Sequence, residues 1–174
     1  MSEPAAGAAT GEPAVSSGAT GGPAGSGGGE QAVSGGAGVY RAVAAMGKPV
    51  RGRALVAKDG FSARYDLDRV NGVFSRPQHK LAGQSYVDRV LVLDAAKGGV
   101  ATAWMLHEMA SRGVMPAALV LNRINPIMVQ GGALADFTMM SGFALDITLA
   151  VPDGALVELD TESDPPCLRV LAVV

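Results

Sequence analysis

Residues 89–113 read RVLVLDAAKGGVATAWMLHEMASRG. Arg89 to Asp94 is an apolar, partly β-branched run of strand length. Gly98-Gly99 break it. From Val100 to Arg112, Thr102, Met105, Leu106 and Met109 then recur at helical spacing on one side, and Gly113 supplies a C-terminal stop. Strand, glycine turn and helix form the first half of a crossover unit. The second half follows, since Pro116 precedes another apolar run, AALVLN (117–122). Strand–helix–strand predicts a parallel pair with the helix packed on the sheet.

The pattern changes on either side of this unit. Upstream, VYRAVAAM (39–46) and VRGRALVA (50–57) predict two strands in a hairpin-like arrangement around Gly47, Lys48 and Pro49. FSARYDLDRVNGVF (61–74) predicts short extended pieces around the Asn71-Gly72 turn, and a polar loop follows over 75–86. Downstream, IMVQGGALADF (127–137) predicts a short second helix broken by Gly131-Gly132. TMMSG, ITLAV, ALVELD and CLRVLAVV predict further strands, with Pro152-Asp153-Gly154 as a turn. The expected fold is a mixed α/β domain, a barrel-like sheet with two helices, and not a full doubly wound sheet.

Composition divides the 174 residues in two. Residues 1–38 hold 12 of the 24 glycines and no lysine or arginine. Such a segment has little to bury, and the expectation is a disordered tail preceding one domain over 39–174. The tail has neither the basic start and apolar core of a secretory signal nor the arginines of a transit peptide. All 14 Lys and Arg lie in 39–174, against 13 of the 16 acids, with no basic stripe. This argues against a nucleic-acid surface, and no apolar run has the length of a membrane span. The one cysteine, Cys167, excludes a disulfide framework and a self-contained cysteine metal site. A cytoplasmic chain that binds no metal of its own is expected.

The glycine turn is the first candidate for chemistry. It is not a Walker loop, because its lysine precedes the glycines, and it lacks the Gly-x-Gly-x-x-Gly of dinucleotide sites. What remains is a general property of helix starts. Free N–H groups and the helix dipole favour an anion near Gly98, Gly99 and Val100. Lys97 adds a cation and Thr102 a hydroxyl. The alternative is a strand-to-helix turn without a ligand. In the polar loop, His79 is either a general acid or base or a surface histidine, and Ser85 is either a hydrogen-bond donor to substrate or a cap. His107 reads as a solvent-side or packing residue, Asp59, Asp66 and Asp68 as turn acids, and Trp104 and the methionines as core.

Taken in order, the pieces resemble a known family. They include Gly-x-Ala-Leu-Val at 52–56, His-x-Leu-x-Gly-x-Ser at 79–85, the strand VLVLD, the lysine–glycine turn with its helix, Gly-x-x-Pro-Ala-Ala-Leu-Val at 113–120 and Gly-Ala-Leu-Ala-Asp at 132–136. This arrangement is similar to the small subunit, or swivel domain, of aconitase X. The resemblance implies a swivelling β/β/α domain that binds no cofactor itself. It further implies a large catalytic partner subunit carrying an iron–sulfur cluster, and a small hydroxy-acid substrate. It implies a hydro-lyase (dehydratase), with cis-3-hydroxy-L-proline as the first substrate expected. The alternatives are a phosphomevalonate dehydratase small subunit and a non-catalytic binding or regulatory module. Many members carry Gly-Lys-Gly-Ser-Ser-Thr-Gly-Ser where this chain has Ala96-Lys97-Gly98-Gly99-Val100-Ala101-Thr102-Ala103. The serines that the resemblance would make proton acceptors are gone. Thr102, Ser85 and His79 are the catalytic candidates that remain, and Lys97, Gly98, Gly99 and Val100 the substrate-binding ones.

Overall fold

The computed structural model describes residues 38–173. The tail expected over 1–38 lies, apart from Gly38, outside the described residues. The strands are β1 (Val39–Met46), β2 (Val50–Phe61), β3 (Leu67–Asp68), β4 (Val73–Phe74), β5 (Arg89–Ala96), β6 (Ala118–Arg123), β7 (Met139–Phe143), β8 (Leu156–Asp160) and β9 (Cys167–Ala172). The helices are α1 (Val100–Arg112), α2 (Pro126–Leu134) and α3 (Ile147–Ala150). Seven strands close a barrel in the order β1-β7-β6-β5-β2-β8-β9, and β3 pairs with β4 in a separate two-stranded sheet.

The strand–helix–strand reading holds: β5 and β6 are parallel, as are β2 with β5 and β6 with β7. The parallel strands are buried on both faces, which is why their sequences read as unbroken apolar runs. Val90, Val92, Ala118 and Val120 face the barrel interior with Val157, Leu159, Leu168 and Val170. Leu91, Leu93, Leu119 and Leu121 face outward into a second core with Leu106, Met109 and Met128 of the helices, and with Phe61, Phe74, Leu81 and Tyr86 of the 61–86 segment. Alternation of small and large residues thus separates two cores across one sheet.

Four expectations are corrected. First, β1 does not pair with β2; its partners are β7 and β9, both antiparallel. The link between β1 and β2 instead runs against β7, where the Thr138 hydroxyl donates to the Lys48 carbonyl at 2.8 Å and a Cβ on Gly47 would stand 2.6 Å from Thr138 Cα.

Second, Gly131-Gly132 do not break α2. Both are buried inside it, and a Cβ on Gly131 would lie 2.6 Å from Ala103 Cα. Gly131 lets α2 cross α1 closely, and Gly132 lets it sit on Met139 of β7. Third, ITLAV is not a strand. Its first four residues form the third helix, capped by Asp146, whose carboxylate accepts from Thr148 N–H at 3.1 Å. Ile147 is fully buried and belongs to the barrel's interior core. Fourth, Trp104 is not core: it is 67% exposed on the outer face of α1.

Asp146 also accepts from the Thr148 hydroxyl and from Asn122 Nδ2, which bonds Asp94 as well, and Lys58 sits 3.1 Å away. Thr148 first, then Asn122 and Lys58, holds the Asp146 carboxyl well below the usual range, and Asn122 with Arg123 lowers Asp94. Both groups titrate lower in the folded chain than in the unfolded one. Their stabilisation is therefore complete above about pH 4 and is lost as pH falls through the folded values. Urea unfolding between pH 7 and pH 3 is expected to show a shallower acid loss for Asp146→Asn than for the wild type.

Candidate functional site

The ends of β2, β5 and β6 bring the candidate residues together. The turn after β5 is tied to the end of β2 by Lys97 N–H, which donates to the Phe61 carbonyl at 2.7 Å. Gly98 has φ +105°, where L side chains are strained, and a Cβ there would collide with the Thr102 hydroxyl. Gly99 is the N-cap of α1 and gives the helix no side-chain cap; a Cβ on Gly99 would meet nothing within 4 Å. The first turn of a 13-residue helix thus begins at an open, uncapped position. α2 starts beside it. Asn125 accepts from Met128 N–H at 2.8 Å and directs Nδ2 at the Gly98 carbonyl, 3.4 Å away. Two helix starts therefore meet beyond the C-terminal ends of parallel strands, where α/β sheets commonly bind ligands.

The charges around the turn balance each other. Lys97 Nζ lies 3.4 Å from Asp59 Oδ1, and Arg76 lies 3.8 Å from the same carboxylate and 3.1 Å from Asp66 Oδ1. Burial alone would raise the Asp59 carboxyl. N–H bonds from Gly60 and Lys80 outweigh it, with help from Lys97, and hold the group below the ordinary value. Asp66 is a turn acid as expected, and it is fully buried: its Oδ2 accepts from Ser62 N–H at 2.8 Å. Asp68 is a turn acid as expected, accepting from the N–H groups of Val70 and Asn71.

His79 is 2% exposed and stacks on Phe74 at 4.5 Å, in contrast to the reachable loop histidine expected. Its Nδ1 accepts from Leu81 N–H at 3.1 Å, so Nε2 carries the hydrogen and donates to the Gly60 carbonyl at 2.9 Å. Both ring nitrogens are occupied, and the ring braces Gly60 from behind the turn. Ser85 does not join the turn. Its hydroxyl donates to the Gly72 carbonyl at 3.1 Å, close to the start of β5, whereas the turn follows the end of that strand. Thr102 is 2% exposed in the first turn of α1, against Gly98. His107 is exposed, as expected.

The sequence pattern of the aconitase X swivel domain matches residues 39–165. The chain belongs to the aconitase X swivel domain family. Two curated relatives are phosphomevalonate dehydratase small subunits. That of Methanopyrus kandleri is 32% identical over 117 residues, 67% of this chain and 87% of the relative. That of Methanothrix thermoacetophila is 28% identical over 118 residues, 68% and 85% respectively. Among solved structures, Thermococcus kodakaraensis aconitase X superposes with a TM-score of 0.67 over 76% of this chain and 96% of that one, at 20% identity. This agreement shows the fold. The family is one of hydro-lyases, and this swivel domain is a dehydratase subunit.

The swivel domain's own residues do not fit an iron–sulfur cluster. Such a cluster needs several thiolates, and Cys167 is the single cysteine, buried in β9 with Ser163 Oγ 3.7 Å from its sulfur. Among the described residues no three of His, Cys, Asp and Glu converge as a metal site, and no helix is long and apolar enough to cross a membrane. Three residues of this site escape a sequence reading: Ser62, Arg76 and Asn125. Asn125 had a signal, since Asn-Pro ahead of an apolar run is an N-cap followed by proline at the first helical position. Ser62 and Arg76 had none, because long-range packing alone brings them to the turn.

Proposed function

We propose that this chain is the small subunit that closes the active site of an aconitase X hydro-lyase, holding an anionic end of a small phosphorylated hydroxy acid at the Gly98–Gly99 turn. The observation that carries it is the open, uncapped start of α1 at Gly99, facing outward beyond the parallel strands. Its unpaired N–H groups and dipole offer an anion a site that needs no side chain. The names of the curated relatives support phosphomevalonate as the substrate. The hydroxyproline first expected has no comparable support.

In this reading the large subunit would hold the iron–sulfur cluster, which would supply Lewis-acid chemistry there. The work of this chain is to bind and orient the anion and to exclude water. Of the three residues expected to handle protons, only Thr102 stands at the turn. The absence of any side-chain hydroxyl in Lys97-Gly98-Gly99-Val100-Ala101 favours a second reading, a module that binds without turnover.

The decisive experiment assembles the chain with its cluster-bearing large subunit and follows dehydration. Phosphomevalonate is expected to react in the complex and not with either subunit alone. Turnover of cis-3-hydroxy-L-proline instead would overturn the substrate and leave the subunit role standing. Binding of phosphomevalonate with no turnover would select the second reading.

A further inference from the structure

Ser62 stands beside the turn with its backbone paired and its hydroxyl left over. Its N–H donates to Asp66 Oδ2 at 2.8 Å, and its carbonyl accepts from Asp66 N–H at 3.0 Å. The preceding carbonyl, of Phe61, accepts from Lys97 N–H. The residue is 2% exposed, and its Oγ is buried with no hydrogen-bond partner among the described residues. Burying a hydroxyl without a hydrogen bond is unfavourable, and such groups in folded chains call for an explanation.

The position of Oγ supplies one. It lies 3.6 Å from where a Cβ on Gly98 would project, so the bare face of Gly98 is lined by the hydroxyls of Ser62 and Thr102. This is directly beside the N-cap of α1, which has no side-chain cap. Lys97 and Arg76 are already engaged by Asp59 and Asp66. Local cations therefore supply little uncompensated charge, and neutral donors gain weight.

We infer that Ser62 is a further substrate-binding residue: its hydroxyl donates to an oxygen of the carboxylate or phosphate seated at the start of α1. The residue that follows β2 thereby provides a hydroxyl that Lys97 to Ala101 lack. The Asp66 carboxylate, paired with Arg76, holds the Ser62 backbone in place. The inference rests on the anion-binding reading of the turn.

Amide and side-chain NMR of the full chain, titrated separately with inorganic phosphate and with acetate, tests it. The amides of Gly98 to Ala101 and the Ser62 Cβ resonance are expected to move with one midpoint. The probe with the lower midpoint identifies which anionic group the site prefers. In Ser62→Ala the midpoint is expected to rise about tenfold, as for loss of a hydrogen bond to a charged group. Its melting temperature should be unchanged or higher, because an unpartnered hydroxyl has been removed; a purely structural serine would lower it.

If the amides respond equally in wild type and Ser62→Ala, the inference fails and the anion site stands. A static Ser62 Cβ resonance in a responding wild type overturns it as well, with no variant needed. If neither probe moves the Gly98–Ala101 amides, the anion site and the inference fall together.

Discussion

Gly98→Ala is expected to lower kcat/KM of the assembled enzyme about 100-fold, the scale on which misplacement of a site by an ångström reduces turnover. Two effects combine. At φ +105° an L side chain is strained, and the added Cβ meets the Thr102 hydroxyl. A residue forced into such backbone costs about 1–3 kcal/mol, and the turn relieves it by rotating the peptide groups that aim at the anion. Gly99→Ala separates the two effects: at φ −125°, with open space around the added Cβ, its backbone is unstrained, so any loss of rate reports crowding of the anion seat itself. If Gly98→Ala retained the wild-type rate, the turn would not be the substrate-facing element.

The second large effect is on stability. Arg76→Ala removes the partner of a carboxylate that is fully buried. Breaking a buried pair from one side costs about 3–5 kcal/mol. Arg76 keeps about a third of its side chain in solvent, so the lower end applies. Against a total stability on the order of 5–15 kcal/mol, a loss of about 3 kcal/mol should be plain in urea unfolding at pH 7. Arg76→Ala combined with Asp66→Asn should recover part of it, because no unpaired charge is then left inside. A loss below about 1 kcal/mol in the single variant would show that water reaches Asp66 and that the pair does not hold Ser62.

Local rules carried the centre of the fold. The apolar run of β5, the helical spacing of α1 and the αL cap at Gly113 all depend on neighbours in sequence. The errors arose where distant packing overrode a local signal. Gly131 and Gly132 looked like helix breakers because glycine is a poor helix former, yet the close crossing on Ala103 requires Gly131 and the packing on Met139 requires Gly132. Ile147 and Thr148 looked like strand because they are β-branched, yet the cap at Asp146 and the burial of Ile147 favour one helical turn. In the site, Lys97, Gly98, Gly99, Val100 and Thr102 were legible because one short segment contains them. Ser62 and Arg76 were not, since no spacing in sequence announces a contact made across the fold. Histidine chemistry alone made His79 look reactive, and its hydrogen bonds to Gly60 and Leu81 became visible only with the loop folded.

Closure of the seven-stranded barrel has a consequence for assembly. Each of its strands is hydrogen-bonded on both sides, so the barrel presents no free edge of N–H and C=O groups for another chain to extend as a further strand. A partner has to recognise side chains and exposed turns instead. Contacts of that kind can be made and released without unzipping backbone pairs.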